Sequence, residues 1–347
     1  MPKICFLGDV FAERPQTLLE WPKELSADCC FFNFEYVYDD GSLSYDDAAE
    51  GKVNLCGKGN PFFTFFPKYA VALANNHIMD YTDRGCEATV NFLDSQDVSY
   101  VGLEHRERAS PRFISLVAGV TVSSYLQKHM MPSRAEEADW RVVPLDEARV
   151  LEDAQMAHQA GSAFHVVYLH WGTELFSKPW PNQVELAHRL IDSGRVQMII
   201  GAHSHCVQSY ECYHGHWIFY GLGNAVFPDY RKLPSRFVGG KPLVHTSEYW
   251  GKCGRESLAV ALAGGGITIF RLRYSPKSGR LSVRKEIGKR SLRICLWDCF
   301  VAIFHRWSTA VRAGVHGDFQ VMRWHLLAGW KSLWSYLATY KKLKRGL

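Results

Sequence analysis

Residues 196–205 read VQMIIGAHSH: an apolar run, a small-residue pair, then His203 and His205 one residue apart. An unbroken apolar run of this length suits a strand buried on both faces, as in a parallel sheet covered by helices. Two imidazoles at its carboxyl end suit a metal site, a catalytic pair or polar surface residues. Composition narrows the background. The chain has 347 residues, 47% hydrophobic and 22% charged, enough to bury one large α/β core or two ordinary ones. The ten cysteines form no CxxC pair, and several lie inside apolar runs (Cys5, Cys29, Cys30, Cys295), where a reduced thiol behaves as a small hydrophobe. The start MPKICFLGDV enters a strand without a basic region or cleavage signal. Both features lead us to expect a reducing cytoplasm.

The same texture recurs along the first two-thirds of the chain, where apolar runs alternate with helix-like segments. Expected strands are Lys3–Gly8, Cys29–Asn33, Tyr69–Ala74, Ser99–Val101, Arg112–Val117, Val120–Tyr125, Phe164–His170, Val196–Gly201 and Trp217–Tyr220. Expected helices are Thr82–Gln96, Leu145–Ala160 and Asn182–Ser193, the last started by Pro181. Leu258–Leu262, Ile267–Tyr274 and Leu281–Lys285 read as consecutive strands joined by turns.

Five of these runs end on metal-competent residues. KICFLGDV delivers Asp9, CCFFNFE delivers Asn33 and Glu35, and YAVALANNHIMD delivers Asn75, Asn76, His77 and Asp80. FHVVYLHWGTE delivers His170, and the opening stretch delivers His203 and His205. Ligands of open α/β sheets gather where the carboxyl ends of strands converge. Imidazoles and carboxylates together suit borderline divalent ions such as Mn, Fe or Zn. A shared carboxylate can hold two such ions ~3.5–4 Å apart. Asn224, after YGL at another strand end, is a candidate for the supporting shell.

In order, GDV, NFE, ANNHxxD, HWGxE, GAHSHxxQ and YGLGNxVF resemble the CapA proteins over about residues 3–230. That family is associated with biosynthesis of capsular poly-γ-glutamate and related polymers, and belongs to the calcineurin-like metallophosphoesterase superfamily. The resemblance implies an α/β fold, a four-layer α/β/β/α sandwich of the metallophosphatase type, with one or two divalent ions between its loops. Carried over by motif, Asp9, Glu35, Asn76, His170, His203 and His205 are the metal ligands and His77 is the leaving-group acid. Asn33, Asn75, Asp80 and Asn224 support them. The superfamily's opening DxH is reduced here to Asp9 with Phe11 in the histidine's place. Its GDxxD is replaced by NFE, which makes Glu35 the candidate bridge, and NNH is followed by Ile78-Met79-Asp80 rather than an adjacent acid. CapA-like proteins share these changes.

Bland readings stand beside these. Asp80 can cap the following helix, and Trp171 can line a pocket or fill the core. His188 on its helix is expected at a surface or in packing. His165, an odd number of residues before His170, faces the other way. Ser204 is a turn residue, since GAHSHC is not a nucleophile elbow, and CGKGN lacks the spacing of a phosphate-binding loop.

The expected domains are residues 1–289, carrying the sandwich, and 290–347, a basic, Trp-rich helical extension. From Arg290 onward there are ten Lys/Arg against two Asp/Glu, and five of the eleven tryptophans fall after Ser291. Phe319, Met322, Leu326, Trp330, Leu333, Leu337 and Tyr340 recur at helical spacing. Such a face packs on the sandwich or a dimer partner. Alternatively, with Lys341, Lys342, Lys344 and Arg345, it rests on a membrane surface at the inner face. Nucleic acid is not expected, because the basic cluster is short and the body acidic. The functional expectation is a metal-dependent hydrolase of capsule or exopolymer biosynthesis, cutting a phosphoester or amide-like bond in a polymer or its precursor. The alternative is a non-catalytic assembly or polymer-binding factor, working as a homo-oligomer or in a synthase complex.

Overall fold

A computed structural model describes residues 2–14, 20–44, 48–49, 54–59, 65–131, 138–228 and 253–285. The extension expected over 290–347 lies outside the described residues. In chain order the first strands are β1 (Ile4–Val10), β2 (Cys29–Phe34), β3 (Val37–Tyr38), β4 (Cys56–Gly57), β5 (Tyr69–Ala72) and β6 (Ser99–Val101). Next come β7 (Leu103–His105), β8 (Ile114–Val117), β9 (Val120–Leu126), β10 (Trp140–Val142), β11 (Phe164–His170) and β12 (Met198–Ala202). The last are β13 (Tyr210–Tyr213), β14 (His216–Phe219), β15 (Asn224–Val226), β16 (Glu256–Ala263), β17 (Gly266–Ser275) and β18 (Arg280–Lys285). Three α-helices interrupt them: α1 (Thr82–Ser95), α2 (Glu147–Gln159) and α3 (Pro181–Asp192).

One sheet runs β18-β17-β16-β1-β2-β5-β6, with β15 also paired to β1, and the other runs β13-β14-β12-β11-β9-β8. β3 with β4 and β7 with β10 form two-stranded ribbons. The centres of both sheets are parallel: β1, β2, β5 and β6 in the first, β9, β11, β12 and β14 in the second. Antiparallel strands flank them. All the carboxyl ends of each parallel set therefore lie at one edge of its sheet.

The period-two alternation of buried strands sorts side chains into layers. Ile4, Phe6, Phe31, Ala70, Val166, Tyr168 and Ile200 meet between the sheets. Cys5, Leu7, Cys30, Phe32 and Val71 face outward and share a core with Cys86, Val90 and Leu93 of α1. On the far side Val167, Leu169 and Ile199 pack against Val150 and Ala154 of α2 and Val184, Ala187 and Leu190 of α3. The result is the expected α/β/β/α sandwich. Phe31 and Tyr168 cross the central layer edge to face, with ring centroids 5.3 Å apart. The Tyr168 hydroxyl donates to the Leu7 carbonyl at 2.8 Å, tying β11 to β1.

Every strand and helix expected before residue 290 forms, with each boundary within two residues. β8 begins at Ile114 rather than Arg112 because the Arg112 guanidinium turns aside to the carboxylates of Glu152 and the buried Asp153. The six strands not expected, β3, β4, β7, β10, β13 and β15, hold two to four residues each. That is too short for periodicity to register.

His165 points to the interior face opposite His170. Its Nδ1 meets Thr121 Oγ1 at 2.8 Å and its Nε2 meets Ser123 Oγ at 3.0 Å. Burial pushes its pKa down to about 3, against about 6.5 in an unfolded chain. The unfolded chain therefore takes up a proton first, so the neutral imidazole's contribution is complete above pH ~6.5 and lost as pH falls toward 3. We expect urea titrations at pH 7 and pH 5 to differ by about 2 kcal/mol more in the wild type than in His165→Gln.

Candidate metal centre

The carboxyl ends of β1, β2, β11 and β12 meet in one buried crevice. Asp9 lies one residue from the end of β1, at an irregularity in its pairing with β2. Glu35 directly follows β2, its backbone N–H donating to the Val10 carbonyl at 2.9 Å. His170 closes β11, and His203 and His205 sit in the turn that leaves β12. Both of these histidines have left-handed backbones, with φ of 80° and 52°. Non-glycine residues in that region cost about 1–3 kcal/mol each and persist where surrounding structure imposes them. Here the His203 N–H donates to Asp9 Oδ2 at 3.2 Å, and Ser204 Oγ to the Cys206 carbonyl at 2.8 Å. Ser204 thus shapes the turn, as expected.

The donors fall into groups whose ligand atoms lie within 4.8 Å of one another. One is Asp9, Glu35 and His205; another is Glu35, His170 and His203. Glu35, the candidate bridge by resemblance, belongs to both. Its Oε1 is 3.6 Å from Nε2 of both His170 and His205. Asn76 Oδ1 meets His170 Nε2 at 2.7 Å, so it joins the second group.

A chain of amides sets the orientation of these groups. Asn75 Nδ2 donates to Asn33 Oδ1 at 3.1 Å and to the Phe34 carbonyl at 2.9 Å. Fixed in this way, the Asn33 amide donates to Asp9 Oδ1 at 2.9 Å and faces His170 Nδ1 at 3.2 Å. On the other flank Asn224 Nδ2 donates to the Gly254 carbonyl at 3.0 Å, and its Oδ1 faces His205 Nδ1 at 2.7 Å. That oxygen calls for a proton on Nδ1, which leaves the lone pair of His205 on Nε2, the nitrogen on the Glu35 side.

His77 is held separately. Asn75 Oδ1 accepts from the backbone N–H groups of His77 and Ile78, both at 2.9 Å. The His77 Nδ1 is 2.7 Å from Asp80 Oδ2, which also accepts from the Leu55 N–H at 2.6 Å. The helix-capping role considered for Asp80 is not the one it takes: Tyr81 stands at the start of α1, and Asp80 turns inward to the imidazole. Trp171 proves to be core, fully buried, with its indole N–H on the Tyr220 carbonyl at 2.9 Å. His188 binds Glu211 at 2.8 Å, outside the site.

One residue of the cluster was not anticipated. Glu174, exposed on the loop after β11, forms a third group with His203 and His205. It closes the HWGxE motif, four residues beyond His170. That spacing was visible in the sequence, but its place depends on a loop.

Both Glu35 carboxylate oxygens are buried without a hydrogen-bond partner. Burial first, then the neighbouring Asp9 and Glu174 charges, push the Glu35 carboxyl well above its ordinary range. Burial also raises Asp9 against the pull of His205, and lowers His205 against the pull of Asp9. Desolvated carboxylates facing the nitrogen lone pairs of imidazoles lack one partner, a cation. Three imidazoles, two carboxylates and an amide oxygen fit a borderline divalent ion. Asp9, Glu35 and His205 would hold one, and Glu35, Asn76, His170 and His203 a second.

The site is thus a histidine–carboxylate crevice at the strand ends of a four-layer sandwich. Residues 22–229, more than half of the chain, match the model of the bacterial capsule synthesis protein PGA_cap family, and the chain belongs to that family. It is 30% identical to the capsule biosynthesis protein CapA of Bacillus anthracis over 161 residues, 45% of this chain and 39% of that one. It is 26% identical over 218 residues, 58% of this chain and 56% of the relative, to a probable polyglutamine synthesis accessory protein of Mycobacterium tuberculosis strain H37Rv. The matches thus span about two-fifths to a little over half of these relatives. Among solved structures, a calcineurin-like phosphoesterase of Bacillus subtilis superposes with a TM-score of 0.36 at 12% identity, covering 93% of this chain and 99% of that one.

The Asp80 contact fixes the His77 tautomer. We expect long-range ¹⁵N–¹H spectra to place the His77 proton on Nδ1 in the wild type and to show a mixture in Asp80→Asn. The variant should also lose about 1–3 kcal/mol of stability in urea, because a buried acceptor bond to the Leu55 N–H is weakened with it.

Proposed function

We propose that this PGA_cap protein is a metal-dependent hydrolase of capsule or exopolymer biosynthesis, cutting a phosphoester or an amide-like bond in the polymer or its precursor. The observation that carries this reading is Glu35, buried and shared between two groups of histidine and carboxylate donors. Mn, Fe or Zn, as one ion or two, would supply an activated water and a clamp for the oxyanion when bound. The chain's own residues do the rest. Asn33 and Asn224 aim His170 and His205, so that no reorientation is needed when substrate arrives. Asp80 holds the Nδ1 proton of His77, which leaves Nε2 free to take up a proton and pass it to the leaving group. We place the protein in the cytoplasm, at the inner face of the membrane through residues 291–347.

A second reading has a specific support. The mycobacterial relative is described as an accessory protein, which suits a factor that holds polymer or synthase without breaking a bond. Activity separates the two. Purified full-length protein should contain Mn, Fe or Zn by mass spectrometry, and His170→Ala and His203→Ala should carry less. Metal-loaded wild type should hydrolyse a member of a panel of phosphoesters and γ-glutamyl amides, and His77→Ala should lose 10²–10⁴-fold in kcat with its metal content intact. A metal-loaded wild type inactive on the whole panel would leave the accessory reading standing.

No helix among the described residues is long and apolar enough to cross a membrane. If the tail rests on a surface, full-length protein should co-sediment with vesicles containing phosphatidylserine. Reversing the charge of Lys341, Lys342, Lys344 and Arg345 should release it, since each basic side chain near an anionic surface contributes about 1 kcal/mol.

A further inference from the structure

The loop after β11 is held at its start, its middle and its end, and its middle bonds the histidine turn. At its start the Gly172 N–H donates to Gln127 Oε1 at 2.7 Å, and the Trp180 indole N–H reaches back to Thr173 Oγ1 at 3.0 Å. In its middle the Leu175 N–H donates to the Ser204 carbonyl at 2.8 Å, between the two histidines. At its end the buried Gln208 side chain donates to the carbonyls of Phe176 at 2.9 Å and Lys178 at 3.2 Å. Leu175 takes a left-handed backbone, with φ of 64°, where a leucine is strained. Strain of that kind is kept where the surrounding bonds impose a direction on the chain. The residue it directs is Glu174, whose carboxylate comes within ligand spacing of His203 and His205.

We propose that Glu174 is a further ligand of the metal centre, closing it on the solvent side through His203 and His205. This rests on the metal reading of the same crevice. The donor count supports it, since Asp9, Glu35 and His205 make three ligands and Glu35, Asn76, His170 and His203 make four, fewer than the six of an octahedral site. Charge supports it as well. Two divalent ions against Asp9 and Glu35 leave an excess of positive charge in a dry crevice, and a third carboxylate reduces it. Asp9, Glu35 and the histidines are buried, whereas Glu174 alone among these donors is exposed. An anionic substrate group can therefore take its place, one negative charge for another.

The test uses the full chain, with Glu174→Gln to keep size and shape and His188→Gln as a control outside the crevice. Mn²⁺ affinity is read from the free-ion signal in electron paramagnetic resonance, and Co²⁺ coordination from its visible absorption. Glu174→Gln should bind Mn²⁺ about 10–100-fold more weakly at one position and shift the Co²⁺ spectrum, with its circular dichroism unchanged. His188→Gln should match the wild type in both readouts. If wild type and Glu174→Gln bind Mn²⁺ equally and give the same Co²⁺ spectrum, Glu174 is not a ligand. A wild type that takes up neither metal overturns the metal reading itself, and this inference with it.

Discussion

The constraint on which the rest of this structure depends is the burial of two neighbouring carboxylates, Asp9 and Glu35. Removing an ion from water costs several kcal/mol even after the protein relaxes. The two meet that cost differently. Asp9 accepts from the Asn33 amide and the His203 backbone, so protein dipoles stabilise its charge. Glu35 receives no such bond. Its surroundings are imidazole nitrogens at 3.6 Å, and these would serve it better through a shared cation than through direct contact. The asymmetry is what a bridging ligand needs, because a carboxylate already bound to donors has fewer lone pairs to give.

Holding those groups in place takes a stiff frame, and the sandwich supplies one. The crevice lies where two sheets meet, so a shift of one sheet against the other would separate Asp9 and Glu35 from His170, His203 and His205. Close approach prevents that shift. A Cβ on Gly8 would collide with the Gly223 carbonyl oxygen, just before Asn224, and one on Gly201 with the Tyr220 carbonyl, just before the histidine turn. Glycine at these two positions lets β1 and β12 lie directly against the segment that carries Asn224. With the Tyr168–Leu7 bond across the central layer, the frame joins every element that contributes a donor.

Much of this was legible in the sequence because the signals were local. A parallel strand buried on both faces is an unbroken apolar run, and its carboxyl end marks where polar residues collect. The frame and the convergence of Asp9, Glu35, His170 and the histidine turn follow from that pattern and the ordered motifs. What the pattern missed depends on distance along the chain. Asp80 reads as a helix cap until Leu55, 25 residues earlier, brings its N–H to the same carboxylate oxygen that holds His77. Glu174 reads as a loop residue until Ser204 and Gln208 fasten that loop over the histidines. No periodicity encodes such contacts, since each is a single hydrogen bond between segments that tertiary folding brings together.

The same crevice would serve hydrolysis or polymer holding, and the feature that separates them is His77. A structural metal site needs ligands and a frame. It has no use for a buried imidazole that is not itself grouped with the ligands. His77 is 4% exposed, its backbone is held by Asn75, and its ring is oriented by Asp80. The His77–Asp80 pair is the part of the crevice that the proposed hydrolysis would use and that holding a polymer would not require. Proton transfer to a leaving group would draw on it, so His77 is the residue on which the two proposals differ.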